Sequence, residues 1–299
     1  MRRSHAPIVT LTTTTLVVVL VACSGPTPPT VLDATAVIPT TAARGETITI
    51  AGTGFGTTVG SVSVGGVAAT IGAWRATSIT ATVPTGASNA WQDVTVTAST
   101  DSDTLDGLFV GTEYTGTAAD LQAFLDAVEP GTAVLLQAQD YGLSATEPFV
   151  IDSIDVHGRG AANTSIDLPN SAMTATGFGA VTTVADLTLR GVHLDFLAGS
   201  LRATAATGAV SPTVLPSDAP VPLVVLDGVT FEETASGSFG ALLSPPPTLD
   251  VVIRDSTIDI PTSLLLLITS GDITIEGSVV DAAGTRVATH VGSVNVSST

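Results

Sequence analysis

The sequence predicts an all-β chain. A small antiparallel sandwich comes first, then a short stack of parallel strands, with a single helix where the two meet. Three observations carry that reading. Only 12% of the 299 residues are charged, while Gly, Thr and Val are abundant, a composition suited to pleated strands. Short alternating strands with turn punctuation run from about residue 37 to 111, at spacings that suit a sandwich. Beyond that, a nine-residue strand pattern returns from 187, 224, 251, 273 and 294, in steps of 37, 27, 22 and 21, with no helical period.

Charge and cysteine content bound the function. Nine basic residues, all Arg, face 27 acids, a net charge of −18; without Arg2 and Arg3 the charge becomes −20. Such a body repels nucleic acid and anionic membrane. The single cysteine excludes an internal disulfide and a multi-thiolate zinc site.

The N-terminus opens with Arg2 and Arg3, followed by an apolar run from about Ile8 to Val21 that is too short to span a bilayer. It ends in Leu20-Val21-Ala22-Cys23, which resembles the lipobox of bacterial lipoproteins. The resemblance implies a signal peptide over residues 1–22 and lipidation of Cys23 by palmitate-type chains. The expected location is therefore the cell envelope, with the chain lipid-anchored and extracytoplasmic, at the outer membrane or cell surface. Several acyl chains, at about 0.8 kcal/mol per buried CH₂, make a permanent anchor. Residues 23–36, with Gly25-Pro26-Thr27-Pro28-Pro29, read as a tether.

In the sandwich region, Thr47-Ile48-Thr49-Ile50 alternates, Gly52-Thr53-Gly54-Phe55-Gly56 breaks the strand, and Val62-Ser63-Val64 resumes before Gly65-Gly66. Ser78 to Val83 and Asp93 to Thr97 complete the set. Together with Trp74 and Val83-Pro84, these strings resemble the IPT/TIG family of Ig-like domains over residues 37–111. The resemblance implies a fold and no reaction. Trp74 is expected in the core. Trp91, after Ser88-Asn89-Ala90, is expected in a loop, where its indole either packs or stacks on a sugar. Asp101, Asp103 and Asp106 lack the remaining ligands of an EF-hand and read as an acidic hairpin turn.

The helix is expected from Thr117 to Val128, where Leu121, Phe124, Leu125 and Val128 form one apolar stripe and Pro130-Gly131 ends it. Helix, strand and repeats in this order resemble the N-terminal end of right-handed parallel β-helix proteins, the superfamily of pectate lyases and polygalacturonases. The second domain, residues 115–299, is thus expected to be a short β-helix of about five or six rungs with an N-terminal capping helix. The insertions at about 198–221 and 234–247 read as loops.

The repeat alignment predicts two charged columns. One, Arg190, Asp227, Arg254 and Glu276, alternates in sign. The other, Asp195, Glu232, Asp259 and Asp281, is wholly acidic: its members splay into water, or they bind calcium. The superfamily resemblance implies a calcium-dependent polysaccharide lyase or a glycoside hydrolase. Against that, no string matches such an active site, and both Arg have acidic neighbours. A strongly acidic body also repels polyanionic substrates. The sequence therefore favours a non-catalytic surface lipoprotein, with no catalytic residues assigned. Its role is binding or structural, its partner a glycan, an envelope layer or another protein, and its one candidate cofactor calcium.

Overall fold

The computed structural model describes residues 31–143, 149–168, 173–176, 181–191, 195–197, 223–233, 239–243, 250–269, 271–289 and 294–297. Among the described residues the chain is all-β apart from one helix, Ala118–Ala127.

In the sandwich, one sheet orders its antiparallel strands as Asp33–Ile38, Thr47–Thr53, Ser78–Thr82 and Thr70–Arg75. The facing layer contains Val67–Ala68, Ser61–Val64, Ala90–Ala98 and Asp101–Tyr114. Alternation decides which side chains face inward: Ile48, Ile50, Ile79, Val62, Val64, Val94 and Val96 all enter the core. Trp74 packs against that core as expected, its ring edge-on to Phe55, and its Nε1 donates to the Phe55 carbonyl at 3.1 Å. The acidic segment is a hairpin, although Asp101, Asp103 and Asp106 lie along its second strand and not in the turn. Asp103 there accepts a hydrogen bond from the Ala34 backbone at 2.7 Å.

From residue 133 every strand pairing among the described residues is parallel, and the chain visits three stacks in rotation. The first stack runs Ala133–Leu136, Asp155–His157, Thr182–Ala185, Leu223–Asp227, Asp250–Arg254, Ile273–Glu276 and Val294–Ser297. The second begins at Asp140–Gly142 and passes through Ser165–Leu168, Thr188–Gly191 and Thr230–Glu233 to the starts of Thr257–Thr269 and Val279–Thr289. The third begins at Phe149–Asp152 and passes through Met173–Thr176, Asp195–Leu197 and Phe239–Leu243 to the far halves of those two long strands. Parallel stacks in this rotation fit a β-helix.

Register corrects the repeat alignment. Ala133, Asp155, Thr183, Val225, Val252, Thr274 and Asn295 lie directly over one another, in steps of 22, 28, 42, 27, 22 and 21 residues. Among the described residues the first stack thus holds seven strands, one more than the longest expectation. The pattern at Leu187 belongs instead to the second stack, where Thr188 lies against Thr230. Phe239–Leu243, expected in a loop, is a strand.

The corner between first and second stacks is built the same way four times. Asp186, Gly228, Asp255 and Gly277 all have positive φ, at 54°, 61°, 48° and 57°. Gly and Asp are among the residues that tolerate this conformation. After each comes a small or apolar residue; Leu187, Val229 and Ser256 there are buried. Inside the stacks, Val134, Val156, Val184, Leu226, Ile253 and Ile275 form a continuous core, each contributing about 1.5–3 kcal/mol by burial. Helix residues Leu121 and Leu125 close that core at its first turn.

The two lattices are not separate bodies. Leu32–Thr299 forms one compact unit. Asp101–Tyr114 joins its halves. Its first part pairs antiparallel with Ala90–Ala98, while Thr112, Glu113 and Tyr114 pair in parallel with Val134, Leu135 and Leu136.

Candidate functional site

Each charged column lacks one member that the sequence reading placed in it, and the column of the second stack gains Asp167 and Arg190. In the second stack, Asp167, Arg190, Glu232, Asp259 and Asp281 lie in register. Arg190 therefore takes the place expected for Asp195, which stands in the third stack against Ala241. The expected place failed because a 42-residue step separates Thr183 from Val225, where the alignment assumed 37. Asp227, Arg254 and Glu276 do form a column, in the first stack.

Arg190 organises its surroundings. Its Nε donates to Glu232 at 2.6 Å, and its Nη1 lies 3.7 Å from both Asp140 and Asp167. The hydrogen bond to Glu232, and then the charges of Glu232, Asp167 and Asp140, hold its pKa above the ordinary guanidinium value against an opposing cost of burial. Arg254 donates to Asp227 at 2.7 Å, and that hydrogen bond raises its pKa likewise. Beyond Glu232 the column continues with Asp259 and Asp281, both exposed. Among the described residues, no group of three His, Cys, Asp or Glu side chains is placed to hold a metal ion.

Trp91 lies on the strand Ala90–Ala98 and not in a loop. It pairs with Phe109 across the ladder, keeps 49% of its surface exposed, and sits edge-on to two rings. Phe109 is 5.6 Å away and His157 5.5 Å, centroid to centroid. Phe109 and His157 stack on each other at 3.5 Å and 19°. Gly111 makes room for this: a Cβ there would come within 3.0 Å of Leu135 and 3.1 Å of the Phe109 ring. His157 is 1% exposed, and neither ring nitrogen has a hydrogen-bond partner among the described residues. Its Nδ1 lies 3.5 Å from the carboxylate of Asp186, the corner residue of the next turn.

Beside this cluster Arg159 clamps sandwich to stack. Its guanidinium grips Glu46 bidentately at 2.8 and 2.7 Å, donates to the Thr41 carbonyl at 2.9 Å, and reaches Glu113 at 3.2 Å. Sequence reasoning gave neither His157, Asp186 nor Arg159 a role. The string His157-Gly158-Arg159 was visible, but its partners lie up to 118 residues away.

Residues 34–110 match the family model of the IPT/TIG domain. The sandwich is thereby supported as an Ig-like domain of that kind. No curated protein matches the chain. Among solved structures, it is similar to an auxiliary nutrient binding protein from Bacteroides ovatus ATCC 8483, at 20% identity over 28% of this chain and 24% of that one, with a TM-score of 0.24. It is also similar to a gamma-CGTase from alkalophilic Bacillus clarkii, at 23% identity over 28% of this chain and 12% of that one, with a TM-score of 0.26. The chain thus spans less than a quarter of either neighbour's length.

Cys23 lies outside the described residues. No helix among the described residues is long and apolar enough to cross a membrane.

Proposed function

We propose that the protein is a surface lipoprotein anchored through Cys23 in the cell envelope, with a non-catalytic role in binding a glycan, an envelope layer or a protein partner. In this reading the Ig-like domain supports a short right-handed parallel β-helix and holds it away from the membrane. The observation that carries it is the shared strand Asp101–Tyr114, which pairs with both lattices. Reinforced by the Arg159 clamp, it makes a stiff mount suited to presenting a fixed surface. The exposed indole of Trp91, backed by two rings, is the contact a glycan would use.

Two measurements test the reading. Wild type should partition into the detergent phase and the full chain carrying Cys23→Ala into the aqueous phase; equal partitioning would remove the anchor. That soluble variant should then retain envelope glycans or proteins on a column without degrading them. A second reading, a calcium-dependent polysaccharide lyase or glycoside hydrolase, draws on the run Glu232, Asp259 and Asp281. It requires polysaccharide cleavage that calcium supports and a chelator abolishes.

A further inference from the structure

We propose that Trp91 and Asp186 form a subsite for a neutral oligosaccharide, with His157 behind them as a positioning residue. This rests on the glycan-binding reading above and narrows it to a place and a chemical class.

The indole is the first component. Singly exposed apolar side chains are ordinary. Trp91 differs because two buried rings fix its orientation, so the exposed part is a preformed platform. Rigid aromatic surface with a few convergent polar groups is the usual make-up of a small-ligand site. The C–H face of a sugar ring supplies the matching apolar surface.

Asp186 is the polar component. Its backbone is fixed by the left-handed corner, and its side chain is 37% exposed. Both it and Trp91 lie against the same imidazole, the carboxylate 3.5 Å from Nδ1 and the indole 5.5 Å from the ring, centroid to centroid. A carboxylate there accepts hydrogen bonds from sugar hydroxyls.

His157 is the observation that points to a ligand. Buried side-chain nitrogens without partners are rare, and this ring has two among the described residues. Nδ1 faces the Asp186 carboxylate at 3.5 Å, slightly long for a hydrogen bond. A small inward shift of the carboxylate as it engages a sugar satisfies Nδ1 and fixes the acceptor. Asp186 itself and the net charge of −18 set the class. A neutral glycan meets no repulsion, whereas a uronate does.

The test uses the full chain carrying Cys23→Ala, titrated calorimetrically with neutral hexasaccharides of glucose, mannose and N-acetylglucosamine, and with hexagalacturonate. At least one neutral probe should bind and hexagalacturonate should not. Trp91→Ala should weaken binding at least tenfold and Asp186→Asn at least fivefold, with thermal melts verifying the fold of each. His157→Phe keeps the ring stack and removes Nδ1. In that background Asp186→Asn should add little, whereas a merely structural His157 gives additive losses. Additive losses therefore sink the positioning role. Binding unaffected by Trp91→Ala overturns the subsite while glycan binding stands. Trp91-dependent binding of hexagalacturonate overturns the neutral class. If no probe binds, the subsite falls together with the glycan reading.

Discussion

The sandwich and the stack bury similar aliphatic side chains by different logic. In the sandwich, Ile48, Ile79 and Val94 reach across to an opposing sheet, so each needs a partner from another part of the fold. In the stack, Leu226 lies in register between Val184 and Ile253, like residue over like residue, and the core grows by one layer per turn. Period-two alternation therefore specifies the sandwich locally. The stack depends on register across insertions of very different length. The difference teaches where each half is vulnerable, and the shared strand Asp101–Tyr114 raises the question of whether they fail together.

The largest effect should come from emptying either core. Leu226→Ala in the stack and Ile79→Ala in the sandwich each remove a fully enclosed side chain and should cost about 2–5 kcal/mol. Because one sheet runs through both halves, each change should lower one common calorimetric transition. Two transitions, of which only one moves, would separate the halves.

The clamp comes next. Arg159→Ala strands Glu46 and Glu113 beside each other and removes four charge-assisted or carbonyl hydrogen bonds from a guanidinium that is 14% exposed. The expected loss is about 2–3 kcal/mol, read from urea unfolding. A loss under about 0.5 kcal/mol would mean that the shared strand alone holds the junction.

These two effects also mark what sequence could show. The sandwich strands, Trp74 and the helix stripe follow from local spacing, because alternation and the helical period leave their trace in neighbouring residues. The register of the stack does not. Arg190-Gly191 imitates the corner Asp227-Gly228, so a charge followed by Gly looked like the same place in the turn. The true corner of that turn is Asp186, which adopts positive φ without a glycine and so carries no obvious mark. Asp195 was misplaced for that reason, and Asp186, beside His157, passed unnoticed. The clamp and the ring cluster join residues far apart in sequence, which leaves no periodic signal.

The corners supply a smaller, sharper test within the stack. Asp and Gly alternate down this column, and each Gly gives the carboxylate of the turn before it room. A Cβ on Gly277 would collide with the Asp255 carboxylate, whereas one on Gly228 would lie 3.2 Å from that of Asp186. Both positions have positive φ, which costs an L side chain about 1–2 kcal/mol. Gly277→Ala should therefore destabilise by about 2–3 kcal/mol and Gly228→Ala by about 1–2. Adding Asp255→Gly, which removes the carboxylate and suits the positive φ there, should recover part of the Gly277→Ala loss. Equal losses at the two glycines, with no recovery, would mean that backbone conformation alone governs the corner.

The smallest effect is a pH dependence confined to the first turn of the stack. The chain has two tyrosines, Tyr114 and Tyr141, and neither lies between residues 37 and 110. Burial raises the pKa of both above the ordinary value of about 10, with the charge of Asp120 adding to the rise at Tyr114. For Tyr141, a hydrogen bond from the Gln137 backbone at 3.1 Å pulls the other way. A raised value in the folded state means that the unfolded chain releases these protons first. The stability they contribute is thus complete below about pH 10 and is lost as pH rises through the folded values. Melting temperature should fall as pH rises above about 10, and tyrosinate absorbance should appear only as the protein unfolds. Tyr141→Phe should flatten that fall while costing about 1 kcal/mol at neutral pH, through the orphaned Gln137 N–H. Trp74, packed against the core of the tyrosine-free sandwich, reports on the other half. If the shared strand couples the lattices, Trp74 fluorescence should change at the same pH as tyrosinate absorbance. A sandwich that keeps its Trp74 signal after the tyrosines have ionised would show that the coupling stops at the junction.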